Sequence, residues 1–162
     1  MWVIGLLYSE NNNLQQLPPL AYADLTDLWA SNNNILGGDV SNLPALTKFK
    51  LGKQEIYTAS NGITDFANFG HPNLQFLEIG SNNIADLGQP SLPKLLLLDV
   101  CNNLFDSGKN QLTDATLLAS LTPITVNPGL KYLNIAGNTL TDTVNTVAAL
   151  QARFASAQII TQ

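Results

Sequence analysis

The stretch LQFLEIGSNNI, residues 74–84, carries the spacing that decides the fold of this chain. Leu74, Leu77 and Ile79 are separated by three and two positions, Asn82 follows three residues later, and another apolar residue closes the stretch. Alternate side chains of a strand point to the same face, so this trio places one side of a short strand in a core. The asparagine can bond neighbouring backbone groups where the chain turns away. The stretch therefore predicts a short strand followed by a turn.

The same spacing recurs along the whole chain. Two further clear copies are LTDLWASNNNI at residues 25–35 and LKYLNIAGNTL at residues 130–140, and weaker copies begin at Ile4, Leu46 and Leu95. The six starts, at positions 4, 25, 46, 74, 95 and 130, are separated by 21, 21, 28, 21 and 35 residues. The basic period is therefore 21, and a unit of this size buries its apolar face only by stacking on its neighbours.

This pattern resembles the LxxLxLxxNxL signature of the leucine-rich-repeat (LRR) family over essentially the whole chain, and is similar to the Asn-rich, 21-residue repeats of bacterial or bacteriophage proteins. The resemblance implies a single α/β domain over residues 1–162, a right-handed solenoid with a parallel β-sheet on its concave face. Past Leu140, apolar residues at helical spacing, from Val144 onwards, predict a C-terminal helical cap over residues 141–162. Ile159 allows one last strand within that cap.

A helix is also predicted within the fifth repeat, where TDATLLASL has Thr113 or Asp114 as its N-cap. Asp114 belongs to a series of aspartates at matched positions after the turn. The series is Asp65, Asp86, Asp114 and Asp142. Because three of them follow Thr or stand where a helix begins, the pattern favours helix capping over calcium binding or acid–base chemistry.

Two repeats carry seven additional residues, KQEIYTA after Gly52 and NNLFDSG after Cys101. Both insertions are predicted to project from the edge where the strands end. Loops that are longer than their neighbours on a regular scaffold often carry recognition, although apolar residues in them can equally fold back onto the scaffold. The candidate contact residues in these insertion loops are Glu55, Tyr57, Phe105 and Asp106.

In the LRR family, the residues flanking the core positions point to the concave face, which is the usual binding surface. The resemblance therefore implies a partner-binding set of Tyr8, Trp29, Lys48, Lys50, Phe76, Glu78, Leu97, Asp99, Tyr132 and Asn134. The aromatic and apolar members are predicted to be exposed, and aromatic groups of this kind dominate interface energetics. The alternative is that a chain of low charge tolerates some exposed aromatics in its sheet.

The next column outward consists mostly of small residues. It contains Glu10, Ser31, Gly52, Gly80, Cys101 and Ala136. Small residues let the backbone of a partner approach closely, and close packing between repeats explains them equally well.

The composition excludes several functions. Charged residues make up 12% of the chain and the net charge is −5, so there is no basic stripe for nucleic acid. No apolar run of 18 residues occurs, and no membrane insertion is expected. The chain has one cysteine, Cys101, and one histidine, His71, which stands before Pro72 in a return segment. These residues build neither a zinc site nor an obvious nucleophile–base pair, so we expect no enzyme, no metal and no cofactor.

The expected function is therefore that of a non-catalytic structural or recognition protein, which mediates protein–protein or protein–glycan contacts. Low charge, many Asn and Thr residues and the lack of disulfides resemble bacteriophage virion surface components of the decoration or fibre type. The alternatives are a fragment of a bacterial extracellular adhesin similar to internalins, or the recognition module of an effector enzyme. The first repeat begins at Ile4 without a cap, so its partner would be another virion subunit, or the chain is part of something longer.

Overall fold

In the computed structural model, seven short strands and two helices follow one another along the chain. The structure describes residues 4–17, 22–35, 39–52, 69–82, 84–101, 112–122 and 126–162. The elements in chain order are β1 (Leu6–Tyr8), β2 (Asp27–Trp29), β3 (Lys48–Lys50), β4 (Phe76–Glu78), β5 (Leu97–Asp99), α1 (Asp114–Leu121), β6 (Tyr132–Asn134), α2 (Thr143–Arg153) and β7 (Gln158–Ile160).

The seven strands form one parallel sheet in the order β1 to β7, so every strand lies beside its neighbours in sequence. The pairing joins equivalent positions of successive repeats. Leu28, the middle residue of β2, lies between Leu7 and Phe49, which are the middle residues of β1 and β3. The predicted α/β class with a parallel sheet is therefore confirmed, including the last strand.

One face of the sheet is buried because the middle residue of each strand points into the core. From β2 to β6 these residues are at most 2% exposed, and they are Leu28, Phe49, Leu77, Leu98 and Leu133. Burying such a side chain contributes about 1.5–3 kcal/mol. Both edge strands are less well covered, since Leu7 and Ile159 are only partly buried against this core. The helices close the core from the other side with residues such as Leu117 and Leu150.

Asparagine side chains, buried at Asn33 and Asn82 and partly buried at Asn138, hold the chain where β2, β4 and β6 end. Asn82 Nδ2 donates hydrogen bonds to Ile79 O at 2.8 Å and to Leu51 O at 3.2 Å, which belong to its own repeat and to the repeat before it. Asn33 and Asn138 bond the equivalent carbonyl groups of their own and preceding repeats. Each side chain therefore joins two successive repeats, as the repeat pattern predicts.

In the four repeats whose turn the structure describes, the residue before the repeat asparagine adopts a left-handed backbone conformation. The φ angles are 58° at Asn11, 56° at Asn32, 58° at Ser81 and 68° at Gly137. Glycine and asparagine tolerate this region better than other residues do. The recurring pairs Asn–Asn and Gly–Asn in the sequence therefore have a backbone reason as well as a side-chain one.

The two helices begin with the expected types of cap. Thr113 is the N-cap of α1, and its hydroxyl and that of Thr116 each bond the backbone N–H of the other residue. Asp142 is the N-cap of α2 and accepts a hydrogen bond from Asn145 N. The apolar helical spacing begins at Val144 in the sequence, but this residue is not part of the buried face. Val144 is 80% exposed in the first turn of α2.

Asp114 is not the cap of its own helix. Its carboxylate reaches across to the start of α2, where it accepts hydrogen bonds from the backbone N–H groups of Thr141 and Asp142 and from the hydroxyl of Thr146. The hydrogen bond from Thr146, followed by those from the two backbone groups, lowers the pKa of Asp114 from 3.8 to about 2. This carboxylate therefore joins the two helices in its ionised form.

We expect Asn82→Ala to lower the free energy of unfolding by about 1–3 kcal/mol, because it removes buried hydrogen bonds to carbonyl groups of two repeats. The matched control is Asn12→Ala. Asn12 holds the same position in the first repeat, but it is exposed and its side chain donates to Glu10 O. Its loss should cost less than about 0.5 kcal/mol. Urea unfolding followed by circular dichroism measures both, and equal losses would contradict a special role for the buried asparagines.

We expect Asp114→Asn to lower the free energy of unfolding at pH 7 by about 1–2 kcal/mol, less than the full pKa difference because the carboxylate is partly exposed. A carboxylate with a lowered pKa stabilises the folded state above its unfolded pKa, and that contribution disappears as the pH falls through the folded pKa. The gap between wild type and variant should therefore close between about pH 4 and pH 2. Thermal unfolding at several pH values, with the exposed Asp24→Asn as control, tests this; a gap that does not depend on pH would contradict it.

Candidate binding site

The first and third residues of each strand point away from the core and form what we call the outer face of the sheet. The register aligns them in two columns. The first column contains Leu6, Asp27, Lys48, Phe76, Leu97, Tyr132 and Gln158, and the third-residue column contains Tyr8, Trp29, Lys50, Glu78, Asp99, Asn134 and Ile160. All ten outer-face residues predicted from the repeat pattern are brought together on this one surface.

The third-residue column is connected by direct side-chain contacts. The ring of Tyr8 meets that of Trp29 edge-on, with 4.8 Å between the ring centroids. Lys50 Nζ lies 5.2 Å from the Trp29 ring and 3.1 Å from Glu78 Oε2. A lysine ammonium group is attracted by both an aromatic face and a carboxylate. Lys50 is therefore held between β2 and β4 by two different kinds of contact.

The carboxylate of Asp99 continues this column. Its Oδ1 accepts a hydrogen bond from Cys101 N at 3.0 Å, and its Oδ2 accepts one from Asn134 Nδ2 at 3.1 Å. Both oxygens are held, so the position of the negative charge is well defined. Among the described residues, Asp99 forms no ion pair.

The first-residue column changes character halfway across the sheet. Lys48 Nζ lies 2.9 Å from Asp27 Oδ1, and the hydrogen bond to this carboxylate raises the pKa of Lys48. Asp27 is only 6% exposed and also accepts a hydrogen bond from the Thr26 hydroxyl. From β4 to β6 the column is apolar, with Phe76, Leu97 and Tyr132 on successive strands.

The predicted exposure of the aromatic and apolar members needs a correction. Tyr8 is 55% exposed, and Leu6 beside it on β1 is 54% exposed. Trp29, Phe76, Leu97 and Tyr132 are only partly exposed. Residues in register on neighbouring strands are close enough to cover each other, and the alternation along one strand does not show this.

A groove of about 380 Å³ lies where strands β1 to β5 end. It is lined by Glu10, Ser31, Asn32, Lys50, Gly52, Glu78, Gly80, Ser81, Asp99 and Cys101. Three of these residues, Lys50, Glu78 and Asp99, belong to the predicted contact set. The column of small residues supplies most of the others. Asn32 and Ser81 were not predicted; the signal for them was their place in the left-handed turn before the repeat asparagine.

Close packing explains the glycine at position 80 better than the glycine at position 52. A Cβ atom on Gly80 would lie 2.9 Å from both Asp99 Oδ1 and Cys101 Sγ, and 3.1 Å from Cys101 O. At Gly52 the nearest atom to an added Cβ would be Gly80 O at 3.4 Å. Close packing therefore requires glycine at position 80, whereas position 52 has nearly enough room for a methyl group.

The residues considered for catalysis lie apart. His71 is buried, its Nδ1 accepts a hydrogen bond from Asn73 N, and its Nε2 is 3.0 Å from Leu43 O. Because Nδ1 accepts, Nε2 carries the proton and donates it to Leu43 O. Both ring nitrogens therefore bond the backbone of return segments, whereas Cys101 lines the groove.

Three other predictions concern metals, membranes and the insertion loops. Within the described ranges, no three His, Cys, Asp or Glu side chains are arranged to hold a metal ion. Neither α1 nor α2, the helices of the described part, is long and apolar enough to cross a membrane. The predicted loop residues Glu55, Tyr57, Phe105 and Asp106, together with Asp65, lie outside the described residues.

We expect Gly80→Ala to lower the free energy of unfolding by about 1–3 kcal/mol, because the added methyl group overlaps Asp99 and Cys101. Gly52→Ala serves as the matched variant, since its methyl group meets only one atom at the edge of normal contact distance. It should cost less than about 1 kcal/mol. Thermal unfolding of both variants distinguishes the two positions, and a larger loss at position 52 would contradict the packing described for this groove.

No protein-family model, no curated protein and no solved structure matches this chain. The function must therefore be inferred from the chemistry of the outer face and of the groove.

Proposed function

We propose that this chain is a leucine-rich-repeat solenoid that binds a protein partner through the outer face of its sheet and catalyses no reaction. The observation that carries the proposal is the alignment of aromatic, apolar and charged side chains in two columns, on the face that the core does not use. A flat array of this kind offers a partner large aromatic contacts beside fixed charges.

The solenoid is supported by the repetition of one structural unit. Each strand pairs with the equivalent positions of the next, and the same left-handed turn and the same asparagine contacts recur where strands end. These features are what stacked repeats of one design require. In a solenoid of this kind the outer face of the sheet would be the concave one.

Binding rather than catalysis is supported by how the reactive side chains are used. His71 is bonded to backbone groups on both ring nitrogens, and the carboxylates of Asp27 and Asp99 are each held by neighbouring groups of the fold. Such groups are held in fixed positions, which suits recognition.

For its setting, we propose a bacteriophage virion surface component of the decoration or fibre type. The low charge of the surface supports this, as does the edge strand β1, where Leu6 and Tyr8 are more than half exposed. A neighbouring subunit of a particle would cover such an edge. A bacterial adhesin similar to internalins is the alternative, in which the same outer face binds a protein or glycan of a host cell.

We expect Trp29→Ala and Tyr132→Ala each to weaken binding of the natural partner by about tenfold, because aromatic anchors carry much of an interface's energy. Their melting temperatures should fall only slightly, since both side chains are partly exposed. Val144→Ala is the matched control, because it truncates a side chain that is 80% exposed on α2. Partners retained by the immobilised protein from phage or host extracts are identified by mass spectrometry and titrated against each variant.

Retention that is equal for wild type and both outer-face variants would contradict the proposal. Light scattering over a concentration series distinguishes the two settings. A stable oligomer fits a particle subunit, and a monomer at all concentrations fits the adhesin.

A further inference from the structure

We propose that the groove at the ends of β1 to β5 binds a lysine or arginine side chain that a protein partner presents on an extended, basic segment. This inference rests on the proposed function, because it specifies the chemistry of the partner at the same surface. It follows from the charges in the groove, from the position of Lys50 and from an unpaired hydroxyl group.

The groove contains more negative than positive charge. Glu10, Glu78 and Asp99 line it, and Lys50 is the single cationic residue among the described residues of its lining. Lys50 pairs with Glu78, whereas Glu10 and Asp99 form no ion pair within the described ranges. A concave site lined by one sign of charge concentrates ligands of the opposite sign. The groove therefore has more carboxylates than cationic groups to balance them.

Lys50 shows how a cation is held at this place. Its ammonium group has the ring of Trp29 on one side and the carboxylate of Glu78 on the other, at 5.2 Å from the ring centroid and 3.1 Å from Oε2. Asp99 lies on the next strand, in register with Glu78. Neighbouring strands of a sheet are about 4.8 Å apart. A second cation that enters beside Lys50 therefore meets Asp99 next, whose carboxylate is already oriented by Cys101 N.

A second, independent observation comes from Ser31. This residue lines the groove, is only 5% exposed, and its Oγ has no hydrogen-bond partner among the described residues. A buried hydroxyl without a partner is unfavourable, and an N–H group of a ligand relieves that cost by donating to it. Ammonium and guanidinium groups carry several N–H donors and no acceptor, which matches one hydroxyl beside several carboxylates.

The shape of the groove suits a side chain carried on an extended backbone. Gly52 and Gly80 are buried residues of its lining, so a partner's side chain that enters the groove meets their backbone rather than a bulky side chain. A metal ion fits less well, because no three acidic or other ligand groups of the described residues converge on one point.

The test uses fluorescence anisotropy with the full chain and a labelled probe peptide, Gly-Lys-Gly-Arg-Gly-Lys-Gly. The same peptide with Gln, or with Glu, in place of its basic residues measures the background. We expect the basic peptide to bind, the Gln and Glu peptides not to bind, and added salt to weaken the complex. Equal binding of all three peptides would overturn the proposal.

Single-charge variants locate the site. Glu10→Gln and Asp99→Asn should each raise the Kd of the basic peptide by about threefold or more, because each removes a carboxylate from the groove. Asp24→Asn makes the same change of net charge at an exposed residue outside the groove and should alter the Kd by less than about 1.5-fold. If Asp24→Asn weakens binding as much as the groove variants do, the attraction belongs to the whole acidic chain and the proposal fails.

Lys50→Gln gives the most discriminating result. It removes the internal cation and frees both Glu78 and the Trp29 ring, so the Kd of the basic peptide should fall by about threefold or more. If the groove instead binds an acidic or neutral ligand, Lys50→Gln would weaken the binding of that ligand. Weaker or unchanged binding of the basic peptide to Lys50→Gln would overturn the proposal. Melting temperatures of all variants are measured to confirm folding.

The two proposals fail in different ways. Loss of the natural partner in Tyr132→Ala, together with unaltered peptide binding in Glu10→Gln, would reject the groove and leave the outer face in place. Retention of the partner in Tyr132→Ala would reject the proposed function, even if the basic peptide still bound the groove.

Discussion

Each buried asparagine of the repeat ties the end of its own strand to the end of the strand before it, and the geometry of the sheet follows from that contact. Asn82 can reach Leu51 O and Ile79 O together only if β3 and β4 lie parallel and in register. The left-handed residue just before it turns the chain away from the sheet. With register fixed in this way, the residues on either side of the core positions form straight columns. The outer face and its groove therefore result from the hydrogen bonds that join the repeats.

Much of this architecture can be predicted from the spacing of apolar residues and asparagines in the sequence. A trio such as Leu74, Leu77 and Ile79, with an asparagine at a fixed distance, predicts both the strand and its turn, because those features depend on neighbours within a few residues. The cap at Thr113 and the last strand at Ile159 are local in the same sense. Local pattern was enough to place the candidate contact residues on one face.

The rest depends on contacts between residues that are far apart in sequence, and so could not be predicted. Asp114 stands at a position typical of a capping residue, yet its carboxylate bonds the start of α2, 27 to 32 residues away. Likewise, a column of small residues was compatible with either packing or partner access. The choice at Gly80 depends on where Asp99 and Cys101 lie on the next repeat. The Ser31 hydroxyl has no hydrogen-bond partner among the described residues, and this can be recognised only from the three-dimensional structure.

The serial order of the strands has a mechanical consequence. Because β1 and β7 lie at opposite edges of the sheet, tension between them acts along the inter-strand hydrogen bonds, and each of the six pairings carries the full force. Each pairing spans only three residues per strand, so the sheet should yield by peeling from an edge in small steps and at low force. Strands pulled along their length would resist together, by shear. A protein of this design is therefore least resistant to a pull across its sheet, from one edge strand to the other.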